Sequence, residues 1–314
     1  MTLSSHDRAV NGPSRFALVK ALGAGEKAPA NELPEREMTP ALPRQLLRDA
    51  MAIAVVAVFM FPLFWWGLTS FKPASAIFDK DGIVWFDFIP TLANYAVTLF
   101  GGGPAFFASK QSILDSVLVG LGATLLTLAA ALPAAHALSQ IDFHAKHNYF
   151  LWVLFQRMTP PIAIIVPLVF LYHGIGLRDT RAGVIFAHAA VNMPFAVLLL
   201  KSFLDDVPRE VGEAATIDGA TPVQLLWKIH VPLVRGGIAA TAVLCFIFSW
   251  TEFLMALFLT DSFRLLPVQL SLVVTQTWGF TAALSTASIV PAFIFILLAQ
   301  KHLVRGLTMG LTKG

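Results

Sequence analysis

The chain has 314 residues, of which 56% are hydrophobic and 13% are charged, and its mean hydropathy is +0.71. This composition is too apolar for a soluble globular protein, and the length is too great for a single membrane anchor. A formal net charge of +3 and a single cysteine, Cys245, argue against a nucleic-acid surface, a disulfide framework and a thiol zinc site. The composition therefore predicts an all-α membrane protein with several spans.

The N-terminal arm, residues 1–48, is polar and is interrupted by five prolines. Such a segment cannot bury enough apolar surface to offset the entropy of ordering, so we expect it to be mobile. It leads into the first apolar run without a small-residue cleavage pattern, so we expect no cleavable signal peptide.

Six apolar runs follow within residues 49–300, and each is near the roughly 20 residues that cross a bilayer core of about 30 Å. Several contain proline, whose freed carbonyl must find another partner in lipid, and this favours a packed bundle around a cavity. The sequence predicts six transmembrane helices and a short C-terminal tail, 301–314. The predicted spans are 51–70, 113–135, 149–171, 182–200, 236–259 and 283–300.

Lysine and arginine indicate the direction of these spans. With the N-terminus in the cytoplasm, the inner segments carry fifteen Lys and Arg residues and the outer segments carry six. Because basic loops stay on the cytoplasmic side, we expect both termini to be cytoplasmic. The segment 201–234 then faces the cytoplasm as well.

Two ionisable side chains are predicted to lie at membrane depth, Arg157 in the third span and Glu252 in the fifth. A charge in hydrocarbon costs on the order of 3 kcal/mol or more, so both should face the bundle interior or water. We predict that they line a translocation path or its gate, at heights that permit pairing, with Asn192 beside Pro194 as a further candidate. The alternatives are that Arg157 snorkels to the interface, that Glu252 is capped locally and that Asn192 satisfies a helix break.

Three histidines, His136, His144 and His147, lie in the predicted loop after the second span. They invite a metal-site interpretation, but no carboxylate or thiol stands at ligand spacing. We therefore predict solvated loop residues and no metal site.

Segment 201–234 is the one long polar interlude in the C-terminal half, and its punctuation predicts two short helices at about 208–218 and 222–231. A glycine suited to positive φ ends the first helix, and a Thr-Pro-x-Gln capping box starts the second. A proline, which has no N–H, ends the second helix. The residues that mark these boundaries are Gly219, Thr221, Pro222, Gln224 and Pro232.

The spacing of Glu-Ala-Ala, glycine, isoleucine and Val-Pro in this segment resembles the EAA loop of the membrane subunits of ATP-binding-cassette importers, with Val231 where leucine is usual. The resemblance implies that the first helix is a coupling helix docked in a cleft of an ATPase subunit. It also implies that Glu213 makes polar contacts there and that Gly219 allows the close turn. The alternative is an ordinary helical hairpin. The residues that the resemblance assigns to coupling are Glu213, Ala214, Ala215, Asp218, Gly219, Ile229 and Pro232.

The resemblance extends over roughly residues 50–314 and implies a type I importer permease fold. Three further pieces are similar to the second permease subunit of maltose-type carbohydrate importers: residues 90–95, the SWTEF motif that contains Glu252, and the tail QKHLVRGLTMGLTKG. The resemblance implies that the outer segment Thr260–Thr277 approaches a solute-binding protein. It also implies that the tail reaches toward the ATPase pair.

The implied partners are a homologous permease subunit, two ATP-binding subunits and a periplasmic or extracellular solute-binding protein, in a bacterial cytoplasmic membrane. The chain has no G-x-x-x-x-G-K-[ST] phosphate loop and no arrangement of catalytic side chains, so we predict neither enzymatic activity nor catalytic residues. We expect no cofactor in this chain, with ATP and Mg bound by the partner subunits, and no nucleic acid. The expected function is carbohydrate uptake. Alternatives are a non-sugar solute, a secondary transporter working alone and an intramembrane enzyme.

Overall fold

The computed structural model describes residues 42–77, 82–101, 104–273 and 278–309, and every regular element in these ranges is a helix. The chain divides into two compact units, Met1–Phe59 and Met60–Gly314, and the division falls within the first helix. The helices are α1 Leu42–Ser70, α2 Ala74–Ile77, α3 Ala93–Phe100, α4 Pro104–Gln140, α5 Lys146–Met158, α6 Pro161–Gly174, α7 Arg181–Asp205, α8 Arg209–Ile217, α9 Pro222–Leu233, α10 Arg235–Thr251, α11 Leu254–Leu259, α12 Leu266–Val273 and α13 Trp278–Met309.

Within the described ranges, four helices are long and apolar enough to cross a membrane. Two bent pairs reach that length together: α5 with α6, bent by 94°, and α9 with α10, bent by 83°. The number of spans is therefore four, or six if each bent pair is one span, by length and composition. This all-helical architecture agrees with the predicted fold class.

The third and fifth predicted spans are each two helices rather than one. The 149–171 run is interrupted at Thr159 and Pro160, which are both extended, because a residue before a proline avoids the helical region. The 236–259 run is interrupted at Glu252, which is also extended, and α11 begins two residues later. The other four predicted spans lie within α1, α4, α7 and α13.

Two helices run into the segments predicted as the N-terminal arm and the C-terminal tail. Helix α1 begins at Leu42, so residues 42–48 of the predicted arm are helical. Pro43 is compatible with this start, because first-turn residues need no partner for their N–H within the helix. Helix α13 continues through residues 301–309 of the predicted tail. Residues 1–41 and 310–314, and the predictions for them, lie outside the described residues.

Helices α4 and α7 pack side by side through fully buried small residues, among them Ala131, Ala135 and Ala196. Small residues let helix backbones approach closely, which favours van der Waals packing between helices in lipid. Leu226 and Val234 belong to the same buried cluster. The polar interlude 201–234, hereafter the EAA segment, is thus seated on one end of the α4 and α7 pair.

The second helix of the EAA segment runs further than predicted. Helix α9 continues through Pro232 to Leu233, and its central part, Leu225–His230, is π-helical. The N–H of Val231 accordingly donates to the carbonyl of Leu226, five residues back. A proline in an α-helix clashes with the carbonyl four residues earlier, and the wider π turn moves that carbonyl away. The prediction that Pro232 ends the helix is therefore wrong.

His136 is also placed differently from its prediction. Helix α4 extends to Gln140, beyond the predicted end at residue 135, and leaves His136 only 4% exposed. Its ring centroid lies 4.9 Å from that of His230 in the π-helical turn. His144 and His147 are exposed, as predicted, but His147 lies in the first turn of α5 and not in a loop.

Candidate functional site

The EAA segment presents the short helix α8, which is followed by a tight turn. The N–H of Ala220 donates to the carbonyl of Ala215 at 2.9 Å, and Gly219 adopts φ +87°. Among the described residues, and apart from Gly219 and its two chain neighbours, none has an atom within 4 Å of the place where a Gly219 Cβ would stand. Glycine is therefore needed here for its backbone conformation and not for space.

The start of α9 is fixed by the predicted capping box. The Thr221 hydroxyl accepts from the Gln224 N–H at 3.3 Å, and the Gln224 side-chain oxygen accepts from the Thr221 N–H at 3.0 Å. Two N–H groups that the helix leaves unpaired are thereby satisfied. Both helices of the EAA segment thus have defined ends on either side of Gly219.

Helix α8 rests on α9 at one point and is otherwise accessible. Gly212 is its buried residue, and a Cβ there would lie 3.8 Å from His230 Nε2 and 3.9 Å from Leu225 Cδ1. Ile217 is 86% exposed, and no ion pair among the described residues includes Glu213. An exposed apolar side chain beside an unpaired carboxylate suits a helix that docks on a partner.

The residues assigned to coupling lie on this accessible surface or just beneath it. Ala215 and Ile229 are half-buried. The exposed ones are Glu213, Ala214, Asp218, Gly219 and Pro232.

A cavity of about 480 Å³ lies beside α8 and is lined by Glu213, Arg209 and Asp142, among others. Asp142 lies 3.2 Å from Lys146 and 3.5 Å from Arg209. The hydrogen bond from Lys146, and then the charges of Lys146 and Arg209, hold the pKa of Asp142 below its usual value. These pairs are solvent-exposed and so contribute little to stability, but they give the cavity mixed charge.

The second candidate region lies in the helix bundle, where two neighbouring cavities share Arg157 and Val191 as lining residues. Their volumes are about 180 Å³ and about 360 Å³. The smaller cavity is lined by all three predicted path residues, Arg157, Asn192 and Glu252. The fold thus brings together side chains from three predicted spans.

Both helix breaks border these cavities. Thr159 and Pro161, at the break between α5 and α6, line the larger cavity, while Thr251 and Glu252, at the break after α10, line the smaller one. Non-helical backbone at membrane depth is tolerated where it lines a cavity. Substrate sites of membrane transporters are often formed by such discontinuous helices.

Arg157 is held by aromatic rings. Its guanidinium carbon lies 5.5 Å from the Phe195 ring centroid and 5.6 Å from that of Phe248. Arg157 is exposed, and cation–π contacts at exposed sites contribute about 0.5–1 kcal/mol. Within the described part of the chain, no ion pair joins Arg157 to Glu252, so the pairing that their heights permit is not seen.

Glu252 caps α11, as the local-capping alternative proposes, and it also faces the smaller cavity. Its carboxylate oxygens accept from the N–H of Met255, at 2.9 and 3.1 Å, and from the N–H of Ala256, at 3.2 Å. A helix start needs such acceptors, and a carboxylate there is further favoured by the helix dipole. Capping and cavity lining are therefore two roles of one side chain.

His188 was missed by the sequence reasoning and lies in the same cluster. It is 2% exposed, its Nδ1 lies 2.7 Å from the Ser249 hydroxyl, and its Nε2 lies 3.4 Å from Glu252 Oε2. The rule that singled out Arg157, an ionisable residue within an apolar span, applies equally to His188. Asn192, one turn further along α7, donates to the Cys245 carbonyl at 3.3 Å.

On the opposite side of the bundle from the EAA segment in the predicted topology, Asp179 joins two loops. Its carboxylate accepts from the N–H groups of Asp261 and Ser262 at 2.7 and 2.9 Å, and Arg178 pairs with Asp261 at 2.7 Å. Burial raises the pKa of Asp179, but these hydrogen bonds outweigh it and hold the pKa below its usual value. The predicted outer segment 260–277, described as far as residue 273, is thus anchored at its start.

Residues 90–95 close against the end of α1. The Asn94 amide donates to the carbonyls of Ser70 and Lys72 at 2.9 and 2.8 Å, and Tyr95 shares a hydrogen bond of 2.8 Å with the Ser70 hydroxyl. Asn94 is buried, and Gly279 of α13 packs directly on it. This piece joins α1, α3 and α13.

Similarity to known proteins covers most of the chain. The family model described as binding-protein-dependent transport system inner membrane component matches residues 145–309. The sulfoquinovosyl glycerol transport system permease protein of Agrobacterium fabrum is 31% identical over 85% of this chain and 94% of its own length. The trehalose transport system permease protein of Mycobacterium tuberculosis is 32% identical over 83% and 94%. A solved bacterial ABC transporter involved in the import of the acidic polysaccharide alginate has the same fold, with a TM-score of 0.68 and 20% identity over 84% of this chain and 97% of its own.

Proposed function

Because the chain belongs to the family of binding-protein-dependent transport system inner membrane components, we propose that it is a permease subunit of an ATP-driven carbohydrate importer. The observation that carries this proposal is the EAA segment: α8 is largely exposed and rests on α9, and α9 is in turn packed in the buried cluster of α4 and α7 through Leu226. The carbohydrate part is supported by the relatives above, whose names specify sulfoquinovosyl glycerol and trehalose.

The proposed assembly contains this chain, a homologous permease subunit, two ATP-binding subunits and an external solute-binding protein. The sequence has no phosphate-binding loop, which supports the assignment of ATP and Mg to the partner subunits. The distribution of its basic residues supports an orientation with both termini and the EAA segment in the cytoplasm. The bacterial relatives support a bacterial cytoplasmic membrane location.

The fold suggests how force would reach the cavities. Closure of the ATPase pair would move α8, which bears on α9 at Gly212, and α9 shares a buried cluster with α7 through Leu226. Helix α7 in turn carries Asn192 into the smaller cavity. Packed helices move as rigid bodies, so the displacement of α8 would be transmitted to the helices that line the cavities. This transmission would support alternating access.

We assign the path or its gate to the cavity residues Arg157, Asn192 and Glu252. They are polar, lie in predicted spans and border two helix breaks. Ionisable residues within membrane spans commonly mark substrate or ion paths, which supports this assignment.

Glu213 offers the sharpest test of the docking surface. We expect Glu213→Arg to lower carbohydrate uptake by about tenfold or more, because it places a wrong charge in the docking cleft. Glu213→Gln keeps the shape and part of the hydrogen bonding, so its loss should be within about threefold. Both should leave the fold intact, since exposed substitutions change stability by about 0.5 kcal/mol or less.

The measurement is uptake together with retention of the ATPase subunit during purification. Equal uptake and retention by the wild type and the Arg variant would disprove docking through Glu213. A functional homo-oligomer that transports without any ATPase subunit would favour a stand-alone transporter. Calorimetric screening of the binding protein against sugars and non-sugar solutes would distinguish the hypothesis of a carbohydrate substrate from that of another solute class.

A further inference from the structure

We propose that His188 is a positioning residue that ties the break between α10 and α11 to α7. The imidazole stands on α7 and meets groups on both sides of the break. Nδ1 lies 2.7 Å from the hydroxyl of Ser249, in the last turn of α10, and Nε2 lies 3.4 Å from the carboxylate of Glu252, which caps α11.

The hydrogen-bonding capacities of the three groups fit one arrangement. An ionised carboxylate only accepts, and Glu252 already accepts from two backbone N–H groups, so the nitrogen that faces it carries the proton. In the neutral ring, Nδ1 then accepts the hydrogen of the Ser249 hydroxyl. One tautomer of His188 therefore suits both neighbours: Nδ1 makes the hydrogen bond to Ser249, and the N–H at Nε2 makes an electrostatic contact with Glu252 at 3.4 Å rather than a hydrogen bond.

Burial makes this arrangement effective. His188 is 2% exposed and Ser249 5% exposed, so water does not compete for their hydrogen bond. Hydrogen bonds shielded from water are stronger, and a buried group left without its partner is costly. Movement of α10 relative to α11 must therefore break or carry along the contacts of His188.

The same helix carries the link to the EAA segment. Leu200 and Leu204 of α7 are fully buried in the cluster that includes Leu226 of α9. His188 lies nearer to the N-terminus of α7, beside the smaller cavity. The latch formed by His188, Ser249 and Glu252 would thus couple displacement of α7 to the break that borders the cavity, and this role in transport rests on the proposed function.

Two substitutions separate the contacts of the ring. The amide nitrogen of His188→Gln reaches about as far as Nε2 and can still donate to Glu252, whereas His188→Asn reaches only as far as Nδ1. We expect His188→Asn to lower the maximal uptake rate by about tenfold or more, with a smaller change in KM, because it removes the N–H that faces the charged carboxylate of Glu252. The Gln variant should retain more of the rate than the Asn variant, because it keeps a donor to Glu252 and loses only the contact with Ser249.

A double substitution tests whether His188 acts through Glu252. If it does, His188→Asn combined with Glu252→Gln should be no slower than Glu252→Gln alone, because the single change already removes the shared interaction. Additive losses would overturn the proposal, and so would equal uptake by the Asn and Gln variants.

Hydrogen exchange provides a readout that does not depend on transport. The amides of Met255 and Ala256 should exchange faster in His188→Asn than in the wild type and His188→Gln, because an unanchored Glu252 caps α11 less well. Unchanged exchange in the Asn variant would overturn the latch. If the wild-type complex takes up no carbohydrate while this exchange pattern is observed, the proposed function fails and the latch stands.

Discussion

Asp179 shows how a single residue meets two requirements in an outer loop. Its φ of +58° lies in the left-handed region, which Asp and Asn tolerate better than most residues with a Cβ. Its carboxylate also accepts from the N–H groups of Asp261 and Ser262. Backbone conformation and acceptor capacity are therefore both selected at this position.

Substitutions at Asp179 can separate the two requirements. Asp179→Gly removes the acceptor but allows the conformation, Asp179→Ala also adds about 1–2 kcal/mol of left-handed strain, and Asp179→Asn keeps the conformation and a carbonyl acceptor. We expect amide exchange at residues 261 and 262 to rise in the order Asn, Gly, Ala. Equal exchange in the Gly and Asn variants would show that the acceptor does not matter.

Because the pKa of Asp179 is lowered, the stability of its contact with residues 261 and 262 depends on pH. Because the folded pKa is below the ordinary value of 3.8, the stabilisation is present above that value and is lost as the pH falls through the folded pKa. Protection of residues 261 and 262, corrected for the intrinsic exchange rate, should fall over that range in the wild type. The Asn variant, which does not titrate there, should show no such fall.

Residues whose roles are local could be predicted from the sequence. Gly219 and the capping box of Thr221 and Gln224 depend on neighbours within four positions, so their spacing alone indicated their structure. His188 could not be assigned, because its partners lie 61 and 64 positions further along the chain. His136 was misplaced for a related reason, since its partner His230 belongs to a distant helix.

At the scale of elements, proline content alone did not distinguish a kink from a break. Pro167 and Pro194 lie inside α6 and α7, whereas Pro160 and Pro161 separate α5 from α6. Two successive prolines remove two N–H groups and restrict two preceding residues, Thr159 and Pro160, which are both extended, whereas a single proline removes one N–H and restricts one residue. The break at Glu252 contains no proline, so only the capping carboxylate marked it.

Replacing both Pro160 and Pro161 by alanine should favour a continuous helix through the break. The separation of labels at positions 152 and 170 should then lengthen toward about 27 Å, the rise of eighteen helical residues, because the 94° bend is lost. Electron paramagnetic resonance on a background without Cys245 measures that distance, and uptake should fall because the cavity loses its wall.

Pro167→Ala is the matched control for this change. It removes a proline that lies inside α6, so neither the label separation nor the bend should change appreciably. An unchanged distance in the double variant would mean that packing against neighbouring helices, and not the proline pair, sets the bend.

At the scale of the whole molecule, composition was sufficient to predict the fold class but not to predict where the helices bend or break. Phe59 and Phe170 are 72% and 73% exposed on apolar helices, as expected of residues that meet lipid or another subunit rather than water. The apolar content of a run indicates that the run is removed from water, by lipid or by protein. It does not record whether the run is straight, because a bend depends on caps and on packing from elsewhere in the chain.

Orientation is the whole-molecule property that charge alone predicts here, and two exposed positions can test it. His147 follows α4 in a predicted inner segment, and Ser262 lies in the predicted outer segment. On a Cys245→Ser background, Ser262→Cys should react with a membrane-impermeant maleimide on intact cells, and His147→Cys should react only after permeabilisation. The reverse pattern would put the EAA segment outside, away from ATP, and would remove the physical basis for coupling through α8.

Fifteen of the basic residues lie on predicted inner segments. Neutralising those that flank the first span should therefore weaken the preference for this orientation while the helices still form.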